Sequence, residues 1–226
     1  MRPNRRTVLL GGAALALASP STLRAAETAE RRFLVFRGGS DIGGQTTRVR
    51  GSGDRAEVEV EVDLAVKILG ITAYRYKLRS RETWEKGLLM SLEGETDDDG
   101  EVSVAKVRRT SEGLVSEGTW EGPVPSDAAT TTYWTQAFLE RPVWISTQTG
   151  KPLDVSVSRD GEERIEGFSG EVLCQRWRVS GDLPLTLYYD DRGEWMGNAF
   201  DASGERARFQ PTEETGRLAP LWPRLA

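Results

Sequence analysis

Two kinds of residue in this chain could do chemistry: aromatic rings and carboxylates. Seven tryptophans and five tyrosines occur among 226 residues. Tyr74, Tyr76, Trp84, Trp134 and Trp177 fall in or beside segments with clear periodicity, as do Trp144 and Trp195. Rings projecting from one face of a curved sheet either fill a solid core or wall a cleft for an apolar or amphipathic ligand. Tyr74, Tyr76, Trp84, Trp134 and Trp177 are therefore the candidates to border a ligand cavity. Carboxylates are abundant, 35 acidic against 30 basic residues, and two of them across a cleft form the machinery of glycoside hydrolysis. Most sit in turns or on alternating wet faces, and nothing selects a pair. No catalytic residue is assigned.

What is missing narrows the field. The chain contains no histidine. That removes serine–histidine and cysteine–histidine nucleophiles, histidine-ligated zinc, and the usual general bases that titrate near neutrality. A single cysteine, Cys174, excludes an intramolecular disulfide and a cysteine-rich zinc site. It lies mid-strand in residues 172–180 and reads as a small buried apolar residue. The run Gly38-Gly39-Ser40-Asp41-Ile42-Gly43-Gly44 has neither the lysine nor the following helix of a phosphate loop. Asp97-Asp98-Asp99-Gly100 lacks the later ligands of a calcium loop. Both read as hairpin turns. No metal or cofactor is expected. The balance argues against an enzyme and keeps a carboxylate-based hydrolase as an alternative.

The rings are positioned by β structure. Residues 56–84 hold the clearest pattern. Val58, Val60, Val62, Leu64 and Val66 alternate with Glu57, Glu59, Glu61 and Asp63; Tyr74, Tyr76 and Leu78 alternate with Arg75, Lys77, Arg79 and Arg81. Period-two alternation gives each strand a buried and a wet face. A three-residue turn at Ile68-Leu69-Gly70 predicts one hairpin in which Leu64 faces Tyr74 and Val62 faces Tyr76. In that register Asp63, Glu61, Glu59 and Glu57 face Arg75, Lys77, Arg79 and Arg81. The acid–base ladder accounts for the basic run without nucleic acid. Short strands continue to Gln210, separated by D-G and D-x-x-G turns, the mark of an antiparallel meander. Asp160-Gly161 reads as one such hairpin turn. Residues 128–139 predict the one helix, capped at Ser126 or Asp127 and stopped by Pro142, with Tyr133, Trp134, Ala137 and Phe138 on one side.

The N-terminus reads as an export signal over residues 1–26. Arg2, Arg5 and Arg6 precede an apolar stretch at residues 8–18 that is too short to span a bilayer. Arg5-Arg6 followed by Thr7, Val8, Leu9 and Leu10 fits a twin-arginine signal, for proteins exported already folded. Cleavage is expected between about Ala18 and Ala26. Loss of Arg2, Arg5, Arg6 and Arg24 leaves 26 basic against 35 acidic residues, a net charge of −9. That acidity argues against nucleic acid or anionic membrane as a partner, and no stable membrane anchor is read. Residues 27–210 read as a single domain and 211–226 as a C-terminal tail, loose or closing over the sheet.

The order of features also resembles a known family. Phe36 to Gly44, then VKILGITAYRY at 66–76, Trp84 with Gly87-Leu88-Leu89, Tyr133-Trp134, Thr149-Gly150-Lys151, LTLYYDDRGEW at 185–195 and Phe200 to Gly204 together are similar to exported bacterial proteins classed as a domain of unknown function. The likeness covers roughly residues 31–210. It implies a periplasmic location and an antiparallel β architecture, at greater distance like the curved sheets of lipoprotein carriers. It brings no activity or site residue. The expectation is an all-β domain: a large curved antiparallel sheet or incomplete barrel with one short helix. The expected function is binding of an apolar or amphipathic ligand, with a lipid-like molecule or an envelope protein as partner. The alternatives are a carboxylate hydrolase and a protein–protein interaction module. The sequence does not specify an oligomeric state.

Overall fold

A computed structural model describes residues 26–223. The expected export signal, apart from Ala26, lies outside them. Fifteen strands form one sheet. They are β1 (Glu27–Arg37), β2 (Ser40–Ser52), β3 (Arg55–Ile68), β4 (Ile71–Glu85), β5 (Leu88–Asp98), β6 (Glu101–Thr110), β7 (Gly113–Glu117), β8 (Glu121–Val124), β9 (Ala129–Thr130), β10 (Val143–Ile145), β11 (Pro152–Gly167), β12 (Gly170–Gly181), β13 (Leu185–Tyr189), β14 (Trp195–Ala202) and β15 (Glu205–Thr215). In space they run β8-β7-β6-β5-β4-β3-β2-β1-β15-β14-β13-β12-β11-β10-β9. The chain therefore starts in the middle, meanders outward to one edge, crosses to the other, and meanders back to pair β15 with β1. Every neighbouring pair is antiparallel except β9 with β10. The fold is the expected large, curved, open β sheet.

The crossing between the edges fills the concave side. The helix expected at 128–139 is not there. Thr130, Thr131 and Thr132 are three β-branched residues in a row, which disfavour helix, and Tyr133 adopts a left-handed φ of 57°. Only a five-residue 3-10 helix forms, Gln136–Glu140, capped by Thr135 rather than by Ser126 or Asp127. Residues 128–151 run as a strap over the inner face of the sheet. Their hydroxyls pair within the strap, Thr130 Oγ1 to Thr132 Oγ1 at 2.9 Å and Thr131 Oγ1 to Thr147 Oγ1 at 3.0 Å. Strap and sheet approach closely at Gly94 on β5. A methyl group there would collide with the Thr147 carbonyl oxygen.

The core lies between strap and sheet. Trp84, Trp134, Phe138 and Trp144 are fully buried in it, with Val58, Leu89, Leu92 and Leu187. Beyond Thr215 the chain closes one end: Leu218 and Leu221 are buried, and Trp222 lies 5.2 Å from Trp84 between ring centroids. A separate small cluster holds Cys174, Tyr188, Met196 and Ala199 with Phe168 against them. Burial pushes the Cys174 thiol up to about 12, as suits an inert buried cysteine.

The expected register of the β3–β4 hairpin needs correction by two residues. Val62 faces Leu78 and Leu64 faces Tyr76, while Glu59, Glu61 and Asp63 face Arg81, Arg79 and Lys77. The turn is a two-residue one, with Ile68 opposite Ile71, and Ala73 is an extra residue between the pairs Lys67–Thr72 and Val66–Tyr74. A two-residue loop alone would set valines against arginines. The bulge restores the parity, so the two faces are as read although the partners are not. Asp160-Gly161 is likewise a bulge inside the continuous strand β11, between the pairs Arg159–Trp177 and Glu162–Gln175, and not a turn.

Candidate functional site

The β3–β4 hairpin outruns its neighbours. Pairing of β2 with β3 ends at Gly43–Leu64, and pairing of β4 with β5 ends at Tyr76–Asp98. Residues 65–75 thus project as a two-stranded ribbon, held at its base where the Asp99 N–H donates to the Arg75 carbonyl at 2.8 Å. At a rise of about 3.3 Å per residue, Ile71 stands roughly 16 Å beyond Tyr76. The end of the ribbon is apolar and wet: Ile68 is 61%, Leu69 98% and Ile71 74% exposed. Scattered exposed aliphatics are ordinary, but three together on a projecting tip are not.

The turn itself is unusual. Leu69 has a φ of 52° and Gly70 one of 83°, the pattern of a type I′ turn, in which the first position normally carries Asn, Asp or Gly. An L-residue with a bulky side chain costs about 1–2 kcal/mol in the left-handed region. Leu69 is unfavourable both by exposure and by backbone conformation. Lys67 and Arg75 are the only charges in residues 65–75. Neither side chain has an ion-pair partner among the described residues; Arg75 engages Asp99 through its backbone N–H. Beside the ribbon lies an open cleft of about 760 Å³, bordered by Ile42, Asp63, Val66, Lys67, Ile68 and Glu205.

The sequence-expected cavity residues fall into three places. Tyr74 and Tyr76 stand at the base of the ribbon. Tyr74 Oη donates to Asp98 Oδ1 at 2.6 Å, and Tyr76 Oη accepts from Gln148 Nε2 of the strap at 2.8 Å. Burial pushes the Tyr76 phenol up to about 12, with the Gln148 contact acting the other way. Trp84 and Trp134 meet in the core through Phe138 and Trp222, with centroids 5.0–6.2 Å apart. Trp177 is half-buried on β12 and packs against the main core; its buried indole N–H has no partner among the described residues. Three open clefts on the surface are lined by none of these five side chains.

Two buried polar groups escaped sequence reasoning. Glu82 is fully buried on β4. Its Oε2 accepts from Trp84 Nε1 at 2.8 Å and from Thr132 Oγ1 at 3.4 Å, and its Oε1 has no partner among the described residues. Burial pushes its carboxyl up to about 7, against the pull of the Trp84, Thr130 and Thr132 contacts. The signal was present: Tyr74, Tyr76, Leu78, Ser80, Glu82 and Trp84 share one parity. Arg31 is the second group. Its Nη2 donates to Glu214 Oε2 at 2.8 Å and Glu194 Oε2 at 3.4 Å, and its Nη1 to the Trp195 carbonyl. Glu194 in turn accepts from Arg217 Nε at 3.1 Å and from the Leu218 N–H at 3.0 Å. Burial lowers the Arg31 pKa, and Glu194 and Glu214 oppose that shift. Parity places Arg31 inward with Ala29 and Phe33, which the sequence reading passed over.

Comparison with known proteins adds a family and a fold. Residues 33–212 match the model of a family described as Domain of unknown function (DUF6134). The chain is similar to a solved structure titled as a beta-barrel-like protein of Domain of Unknown Function DUF1849 from Brucella abortus. The two share 8% sequence identity at a TM-score of 0.55, over 85% of this chain and 98% of that one. At that identity the likeness concerns the fold alone. A search of curated proteins found no match.

Proposed function

We propose a function for a chain that belongs to the DUF6134 family: an exported envelope protein that binds an apolar or amphipathic partner on its surface, at the β3–β4 tip. The observation that carries this reading is the tip itself, three wet aliphatic side chains with Leu69 in a left-handed conformation. A sequence free of function there would place Asn-Gly at the turn and polar residues beside it. The interior supports the same reading, because the rings of Trp84 and Trp134 are covered by the strap and the C-terminal segment. Export rests on the twin-arginine pattern and apolar stretch of residues 5–18.

The test is fractionation of a Gram-negative host expressing the full chain. The wild-type protein is expected in the periplasmic compartment with its leader removed, partly with the envelope fraction. Leu69→Asn, which suits the turn, is expected to move it to the soluble periplasm. Equal partitioning of the two proteins would remove the tip as the working surface, and retention in the cytoplasm would remove export.

A further inference from the structure

The geometry points to an anionic lipid bilayer as what the tip meets, a peripheral contact in which Ile68, Leu69 and Ile71 enter the interface and Lys67 and Arg75 face lipid headgroups. This rests on the surface-binding reading above and names its partner class.

Three observations converge. The first is depth order along the ribbon. Aliphatic side chains come first, then Lys67 beside Thr72, then Tyr74 about 10 Å behind Ile71 at 3.3 Å per residue, and Arg75 beyond it. An apolar end backed by long cationic side chains and an amphipathic ring is the arrangement that seats a segment at a water–lipid boundary, because each group meets the polarity it prefers.

The second is charge. The mature chain carries a net −9 by its sequence, yet residues 65–75 hold two unpaired cations and no acid. Of the acids near the ribbon, Asp63 and Glu205 are paired with Lys77 and Arg37, and Asp97, Asp98 and Asp99 belong to the β5–β6 turn. That turn reaches Tyr74 and Arg75, where Tyr74 Oη donates to Asp98 Oδ1 at 2.6 Å and the Asp99 N–H donates to the Arg75 carbonyl at 2.8 Å, about 10 Å behind Ile71. This is a little more than the Debye length of roughly 8 Å at physiological ionic strength, and Lys67 is the charge that stands ahead of these acids. An anionic surface therefore attracts the tip and repels the rest, which sets the direction of approach. The sequence expectation against anionic membrane came from net charge, which averages over this separation.

The third is shape. The part of the ribbon ahead of Tyr74 can enter a fluid interface before the acidic body of the sheet comes into contact.

The experiment uses the mature chain with Cys174→Ser, carrying an environment-sensitive fluorophore on Leu69→Cys. It is mixed with phosphatidylcholine vesicles, with or without phosphatidylglycerol. The expected result is a blue shift and brightening with the anionic vesicles. Flotation of unlabelled protein is expected to show at least about tenfold weaker binding for Leu69→Asn with Ile71→Asn, from the loss of two buried aliphatic groups. Lys67→Glu is expected to reduce the preference for anionic vesicles by about fivefold or more. Thermal melts of each variant establish that it is folded.

No vesicle binding, or binding indifferent to the two Asn substitutions, overturns the lipid assignment. If vesicles fail while Leu69→Asn still releases the protein from the envelope fraction of cells, the partner is a protein and the surface-binding reading stands. If neither responds, both fall.

Discussion

Glu82 and Leu69 each hold a side chain where its environment disfavours it, and each gives a measurable prediction. The Glu82 carboxyl is raised from 4.5 to about 7 by burial, so the folded state holds its proton more tightly than the unfolded chain. Its contribution to stability is full below about 4.5, declines as pH rises through that window, and is gone above about 7. The span corresponds to something on the order of 3 kcal/mol. Glu82→Gln is expected to flatten the pH dependence of urea unfolding between those limits and to raise stability above pH 7. A profile as steep as wild type would show that another group titrates there. At the turn, Leu69→Asn relieves the left-handed strain and removes an exposed aliphatic. It is expected to raise folding stability by about 1 kcal/mol, read by chemical denaturation, while binding is lost. A stabilising change that costs function is what a functional exposed residue predicts.

At the scale of elements, strand content and face parity were legible in the sequence and long-range placement was not. Alternation in residues 56–84 assigned the correct residues to the wet and buried faces, because parity survives any even slip. The partners slipped by two because the loop is one residue shorter than expected and Ala73 adds a bulge, and an alanine between Thr72 and Tyr74 carries no sequence mark of one. The Asp160-Gly161 pair misled for the opposite reason: it has the composition of a turn but sits where β11 only kinks. The strap was least legible. Its aromatic spacing fits a helix, and what defeats the helix is local, the Thr130-Thr131-Thr132 run and the left-handed Tyr133. What the threonines then contact, Glu82 and Thr147, lies far along the chain. Gly94 is a direct test of the strap. Gly94→Ala would push Thr147 off the sheet and is expected to lower stability by about 2–3 kcal/mol, since neither strand nor strap can yield without losing hydrogen bonds. A loss under half a kcal/mol would mean that the strap is not seated on β5.

For the whole molecule, Arg31 is the point where β1, the β13–β14 turn, β15 and the C-terminal segment are tied together. Arg31→Met leaves Glu194 buried with Arg217 and backbone N–H groups as its remaining partners. The expected loss is about 3 kcal/mol, measured as unfolding free energy, with Trp195 and Trp222 fluorescence reporting loosening at that end. A neutral outcome would mean that Arg217 and the backbone N–H groups satisfy Glu194 without Arg31.

The pairing of β1 with β15 has a consequence in time. Strands β1 to β8 and β11 to β15 form two runs that can each assemble from contacts near in sequence. The seam between them joins the first strand to the last. Until β15 leaves the ribosome, β1 presents a bare edge in the middle of the sheet, and such an edge invites aggregation. A chain cut after Ala202 is accordingly expected to be insoluble although it retains fourteen of the fifteen strands; a soluble, protease-resistant fragment would show that the halves stand alone. An export route that admits only folded cargo would, for this topology, test one contact above the others: β15 is the clasp that closes on β1.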